Sequence, residues 1–126
     1  MKLPTLCFVP LLLASVGCGN DGATDSPIDL TLKAPTELTV DRIGRTAVRL
    51  SWKDPAEREE SFSIERKMNQ GLFVARIFTT QNVTTAIDSV GLLADSTYSY
   101  RVHAIRYSER GEYSNVFSIR LTLPYP

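Results

Sequence analysis

Acid–base or nucleophilic chemistry needs a base, an acid and a nucleophile brought together in a cleft. This sequence supplies few of those parts. It holds one histidine, His103, and two cysteines, Cys7 and Cys18, so His/Cys metal centres and Cys–His nucleophilic pairs are nearly excluded. His103 alternates out of phase with the apolar Tyr100, Val102 and Ala104, which predicts a solvent-facing imidazole on a strand. The acids Asp54, Glu57, Glu59 and Glu60 gather beside Arg58 in one short stretch. A calcium site needs six to eight oxygens on a shaped loop, and a solvated turn is the expectation here. No catalytic residue, metal or cofactor is expected, and the chain is not read as an enzyme.

The cysteines carry a different chemistry. Residues 1–17 read as an export signal: Lys2 supplies the positive charge, and Leu6–Val16 form an apolar run broken only by Pro10 and Ser15. That run is about half the roughly 20 residues that cross a bilayer, which favours a cleaved leader over an anchor helix. Ser15-Val16-Gly17-Cys18 resembles the bacterial lipobox, in which a small residue precedes a cysteine that is acylated before cleavage. The motif departs at Ser15, where the lipobox prefers Leu, and Ser15-x-Gly17 also satisfies ordinary signal peptidase, leaving secretion as the alternative. Loss of Cys7 with the leader leaves Cys18 without a disulfide partner, and acylation removes an exposed free thiol. The resemblance implies anchoring in a bacterial envelope. Acyl chains contribute about 0.8 kcal/mol per buried methylene, so several together hold firmly. Gly19 after the cysteine implies the outer membrane by similarity to sorted lipoproteins.

With 126 residues, one domain of ordinary size is expected. Lys plus Arg number 14 and so do Asp plus Glu, a balance that argues against nucleic acid as a partner because phosphate binding needs a basic surface. Residues 18–33 are rich in Gly, Asp and Ser and lack sustained periodicity, so they read as an acidic tether. About 14 such residues span roughly 20 Å. From Ala34 to Pro126 the pattern alternates: Leu38/Val40, Val48/Leu50/Trp52, Phe62/Ile64, a looser Phe73/Ala75/Ile77, Ile87, Tyr98/Tyr100/Val102/Ala104, and Val116/Ile119/Leu121. Period-two runs separated by turn signals such as Asp54-Pro55, Asn69-Gln70-Gly71 and Arg110-Gly111 predict half-buried strands. Seven of them in about 90 residues predict an all-β antiparallel sandwich.

Ala34-Pro35, Leu38 and Val48-Arg49-Leu50-Ser51-Trp52 resemble the opening of a fibronectin type III domain. Ile87–Leu92, Tyr98–Ala104 and Gly111–Val116 resemble its later half. The resemblance implies a seven-stranded immunoglobulin-like sandwich with Trp52, Leu50, Leu92 and Tyr98 in its core. It places Tyr98 at the tyrosine corner, its hydroxyl bonded back to upstream backbone. Ala94 stands where the family often has Pro. Arg110-Gly111-Glu112 lies near the place where some members carry Arg-Gly-Asp, but Glu112 is one methylene longer and that activity is not carried over. The remaining candidate surface is the loop Arg106–Tyr113. Its Arg106, Tyr107, Arg110 and Tyr113 are residue types enriched where interfaces bind most strongly. A membrane-anchored module presenting this loop to a protein or glycan is the leading expectation. A spacer or assembly subunit that pairs through its sheet edges is the alternative. The chain closes at Pro126, so no catalytic domain is expected beside the module. Trp52→Ala is expected to cost about 3–5 kcal/mol by opening a cavity. Tyr98→Phe is expected to cost about 1–3 kcal/mol by orphaning a buried backbone group. Urea denaturation midpoints check both.

Overall fold

A computed structural model describes residues 31–126. The expected leader, Cys18 and most of the tether lie outside the described residues. Eight strands succeed one another: β1 (Thr36–Gly44), β2 (Ala47–Lys53), β3 (Ser61–Met68), β4 (Val74–Thr80), β5 (Thr85–Asp88), β6 (Thr97–Arg106), β7 (Glu109–Arg110) and β8 (Phe117–Arg120). One sheet runs β1-β2-β5. The other runs β4-β3-β6-β7, with β8 also paired to β6. Every pairing is antiparallel.

Alternation decides which residues the two sheets enclose. Leu38 and Val40 of β1 and Val48, Leu50 and Trp52 of β2 are buried together with Phe62 and Ile64 of β3 and Tyr98, Tyr100, Val102 and Ala104 of β6. The Trp52 and Phe62 rings meet edge to face at 5.6 Å, a favoured aromatic geometry. Leu92 joins this core from the loop before β6. The fully buried Tyr98 accepts a 2.7 Å hydrogen bond from the Leu93 N–H and donates to Met68 Sδ at 3.4 Å.

The last strand departs from expectation. It is divided into β7 and β8, which gives eight strands among the described residues, not seven. Side chains take over the ladder in between. Ser114 Oγ accepts the Val102 N–H at 3.0 Å, and the Ser114 N–H bonds the Val102 carbonyl at 2.8 Å. Asn115 turns to the other sheet, its Oδ1 accepting from Leu38 N at 3.0 Å and its Nδ2 donating to Leu38 O at 3.1 Å. The Asn115 amide thus satisfies one residue of the β1 edge. Leu32 is buried in the core cluster, packed so closely over Gly111 that a Cβ there would lie 2.5 Å from the Leu32 carbonyl oxygen. The packed body therefore begins before Ala34.

A buried charged joint crosses from one sheet to the other. Arg66 of β3 meets Asp88 of β5 at 2.9 Å and donates to the Val90 carbonyl at 2.8 Å. Tyr100 of β6 donates to the same Asp88 oxygen at 2.8 Å. Burial, and then that bond to Asp88, push the Tyr100 phenol well up from its ordinary value. Asp88→Ala leaves Arg66 buried and uncompensated, with an expected loss of about 3–5 kcal/mol in chemical denaturation. Gly111→Ala is expected to lose about 1–3 kcal/mol by overpacking against Leu32, which no substitution would do if Leu32 belonged to a free tether.

Candidate binding site on the five-stranded sheet

The structure divides the four loop residues singled out from the sequence. Tyr107 sits at the tip of the β6–β7 hairpin with φ of 54° and is 82% exposed. The Arg110 side chain is 63% exposed and reaches Glu65 Oε2 only at 3.8 Å. Arg106, by contrast, is largely covered and paired with Glu109 at 3.0 Å. Tyr113 is turned onto the outer face of the five-stranded sheet. Its hydroxyl donates to Glu65 Oε2 at 3.1 Å, and the Arg101 guanidinium lies 3.6 Å from its ring centroid. Tyr107 therefore presents a free side chain and Arg110 a largely exposed one loosely paired with Glu65, whereas Arg106 and Tyr113 are engaged by their own domain.

Glu65 organises this face, and the sequence did not single it out. Arg101 holds its Oε1 through Nε and a terminal nitrogen, both at 2.8 Å. Phe73 lies on the same guanidinium, 4.1 Å from ring centroid to carbon, and Lys67 stands 5.1 Å from that ring. Phe73 reaches this face because of a bulge. Ile64 pairs with Ile77 while Glu65 pairs with Ala75, so Arg76 is the extra residue of β4. An extra residue reverses the in–out phase of whatever precedes it. The set Phe73/Ala75/Ile77 is accordingly split: Ile77 packs on the core, and Ala75 stands opposite outward-facing Glu65.

His103 lies on the expected face but not in the expected surroundings. Only 2% of it is exposed, because Tyr113 folds across it with ring centroids 5.0 Å apart. Neither imidazole nitrogen has a hydrogen-bond partner, and Glu65 Oε2 lies 4.0 Å from Nε2. Burial, then the Arg110 guanidinium, hold the imidazole below its ordinary value, with Glu65 opposing them.

The acidic stretch before β3 is tied to three different places. Glu59 is buried and accepts the Asn82 N–H at 3.0 Å. Glu60 accepts the Tyr107 N–H at 3.3 Å, and its own N–H bonds the Ile105 carbonyl at 2.8 Å. Asp54 accepts the Ala56 N–H at 2.9 Å, with burial raising its carboxyl. No group of three or more His, Cys, Asp or Glu among the described residues is arranged to hold a metal. The sandwich is not wholly without hollows. Between the edges β4 and β5 an open groove of about 220 Å³ is lined by Arg66, Arg76, Ile77, Ile87, Asp88 and Val90. Its carboxylate is already paired with Arg66.

The model of the fibronectin type III domain matches residues 33–120. The chain belongs to the fibronectin type III family. Solved fibronectin type III structures share the fold. The third such domain of human KIAA0343 aligns with TM-score 0.63 at 14% identity over 86% of this chain and 97% of that one. A human collagen XX domain aligns with TM-score 0.58 at 23% identity, over 76% and 98% respectively. Among curated proteins, Chitinase Chi52 of Paenibacillus xylanexedens is 34% identical over 96 residues, which take in 76% of this chain and 17% of the chitinase. This fibronectin type III chain thus spans about a sixth of that relative's length. Its own face separates structural from free groups, and mutation distinguishes them. Arg101→Ala is expected to destabilise the domain by about 3 kcal/mol by uncovering buried Glu65. Tyr107→Ala is expected to change stability by less than about 0.5 kcal/mol. Thermal or urea unfolding reads both.

Proposed function

We propose that this fibronectin type III domain is a non-catalytic binding module of a bacterial cell envelope, held by a lipidated Cys18 and presenting the β6–β7 hairpin to a glycan or protein. The observation that carries this reading is the β6–β7 hairpin, with the highly exposed Tyr107 at its tip and the largely exposed Arg110 on β7, above a base tied down by Glu60 and the Glu65 cluster. A rigid base lowers the entropy lost on binding, and an exposed ring with a largely exposed guanidinium on the same hairpin suits a sugar face flanked by hydroxyls or acids. The partial likeness to a chitinase supports a glycan as the first ligand to test. The envelope anchor is supported by the Ser15–Cys18 motif, with Gly19 favouring the outer membrane and secretion remaining the alternative.

One observation favours the spacer reading. β4 is an edge strand with Val74 and Phe78 exposed along it and Leu72 exposed just before it, whereas the β1 edge is covered at Leu38 by Asn115. Unprotected edges accept further strands.

Binding to insoluble chitin and to isolated envelope glycans, together with cross-linked capture from whole cells, separates the two. The binding reading expects Tyr107→Ala and Arg110→Ala each to weaken retention about tenfold or more, and Ala75→Pro to leave it intact. Capture insensitive to both hairpin substitutions but abolished by Ala75→Pro would establish the edge reading instead. For the anchor, intact mass of the native protein is expected to show acyl chains on an N-terminal Cys18, and Cys18→Ser is expected to leave the membrane fraction. A mature Cys18 without added acyl mass would refute it.

A further inference from the structure

We propose that His103, Glu65 and Tyr113 form a proton-operated latch that frees the Tyr113 side chain from the sheet in acid and so regulates the hairpin face. The consequence for ligands rests on the binding reading above; the latch does not.

The geometry begins with an imidazole that is 2% exposed and has a partner on neither nitrogen. Buried polar nitrogens are ordinarily hydrogen-bonded, and an unpaired one is a stored bias toward any state that pairs it. Protonation makes both nitrogens donors. The nearest acceptor is Glu65 Oε2, 4.0 Å from Nε2. A shift of about 1 Å would complete a charge-assisted bond of roughly 2.7–2.9 Å.

That oxygen is already in use. It accepts the Tyr113 hydroxyl at 3.1 Å and faces Arg110 at 3.8 Å, while Oε1 is held by Arg101. A carboxylate oxygen has room for two donors, so the hydroxyl is not evicted for want of a lone pair; the stronger, charged donor draws the imidazole toward the carboxylate through the space the Tyr113 side chain covers. The ring, 5.0 Å away and edge-on, must then yield to the moving imidazole. The backbone of residues 111–115 does not have to follow. It is anchored independently by Gly111 N–H to Ala104, by Ser114 to Val102 and by Asn115 to Leu38. Only the side chain is released, at the carboxylate oxygen that Arg110 also faces.

The surrounding charges set the direction. Arg101 on the same strand and Arg110 on β7 oppose the imidazolium; Glu65 on β3 favours it. Across the sheet, Ser63 stands opposite both His103 and Phe78 in register, and none of β4's facing side chains there is ionisable. Two cations and burial against one carboxylate place the opening below the ordinary imidazole value near 6.5. As pH falls, the unfolded chain takes up this proton first. Stability owed to neutral His103 is therefore full above the ordinary value and lost as pH falls toward the folded one.

Because the sequence has one histidine, an untagged full chain gives an unambiguous imidazole signal by NMR between pH 8 and 4.5. The latch predicts that His103 titrates below the ordinary value, that the Tyr113 ring signals move with the same midpoint, and that this Tyr113 step vanishes in His103→Gln. Tyr113→Phe keeps the ring on Arg101 but removes the competing hydroxyl; it is expected to raise the His103 midpoint, and it keeps the test available if His103→Gln fails to fold. Tyr113 signals that stay fixed through the His103 step, or still move in His103→Gln, or a midpoint unchanged by Tyr113→Phe, would overturn the latch. No ligand is needed, so this result is independent of whether the hairpin binds glycan.

Discussion

Strand β3 places two opposite charges side by side, and both are buried. Glu65 points to the outer face of its sheet and Arg66 to the inner one. A buried charge is tolerated only when paired and hydrogen-bonded, so the rest of the fold must supply partners on both faces at once. On the inside, Asp88, Tyr100 and the Val90 carbonyl close on Arg66. On the outside, Arg101 and Tyr113 close on Glu65. Register follows from this, since Glu65 pairs directly with Arg101 and Arg66 with Tyr100. Slipping β3 by one residue against β6 would turn Glu65 inward and Arg66 outward, away from every one of these groups.

The same constraint decides what the outer face can do. Phe73 and Tyr113 look like binding platforms by residue type, yet the Arg101 guanidinium already lies against both rings. Their role is to complete the shell around a buried carboxylate. The largely exposed side chains of this end are those of the β6–β7 hairpin, Tyr107 at its tip and Arg110 on β7.

Much of this fold is legible in the sequence because period-two alternation is a direct consequence of sheet geometry. Leu50, Trp52, Tyr98 and Tyr100 announce the core in that way, while the corner at Tyr98 is legible only through the resemblance to the fibronectin type III family. What is not legible depends on long-range closure. An acid at position 65 looks the same in an alternating strand whether it meets water or two arginines. His103 has the right phase for the outer face, but its burial comes from Tyr113, ten residues further on across a hairpin. The bulge at Arg76 carries no Gly or Pro to betray it, so Phe73 is assigned to the wrong face. Ser114 and Asn115 break the last strand by substituting side-chain for backbone bonds, and Leu32 is drawn in only because Gly111 leaves room for it.

The central claim is that Glu65 and Arg101 act as a unit that pins β3 against β6 and builds the outer face. A double-mutant cycle in urea denaturation, comparing Glu65→Gln, Arg101→Met and the pair, tests it most directly. The structure predicts a coupling of about 1–3 kcal/mol, the double variant being less destabilised than the two singles together imply. Strict additivity would show that the two side chains stabilise the domain independently and that the face is not organised around the buried carboxylate.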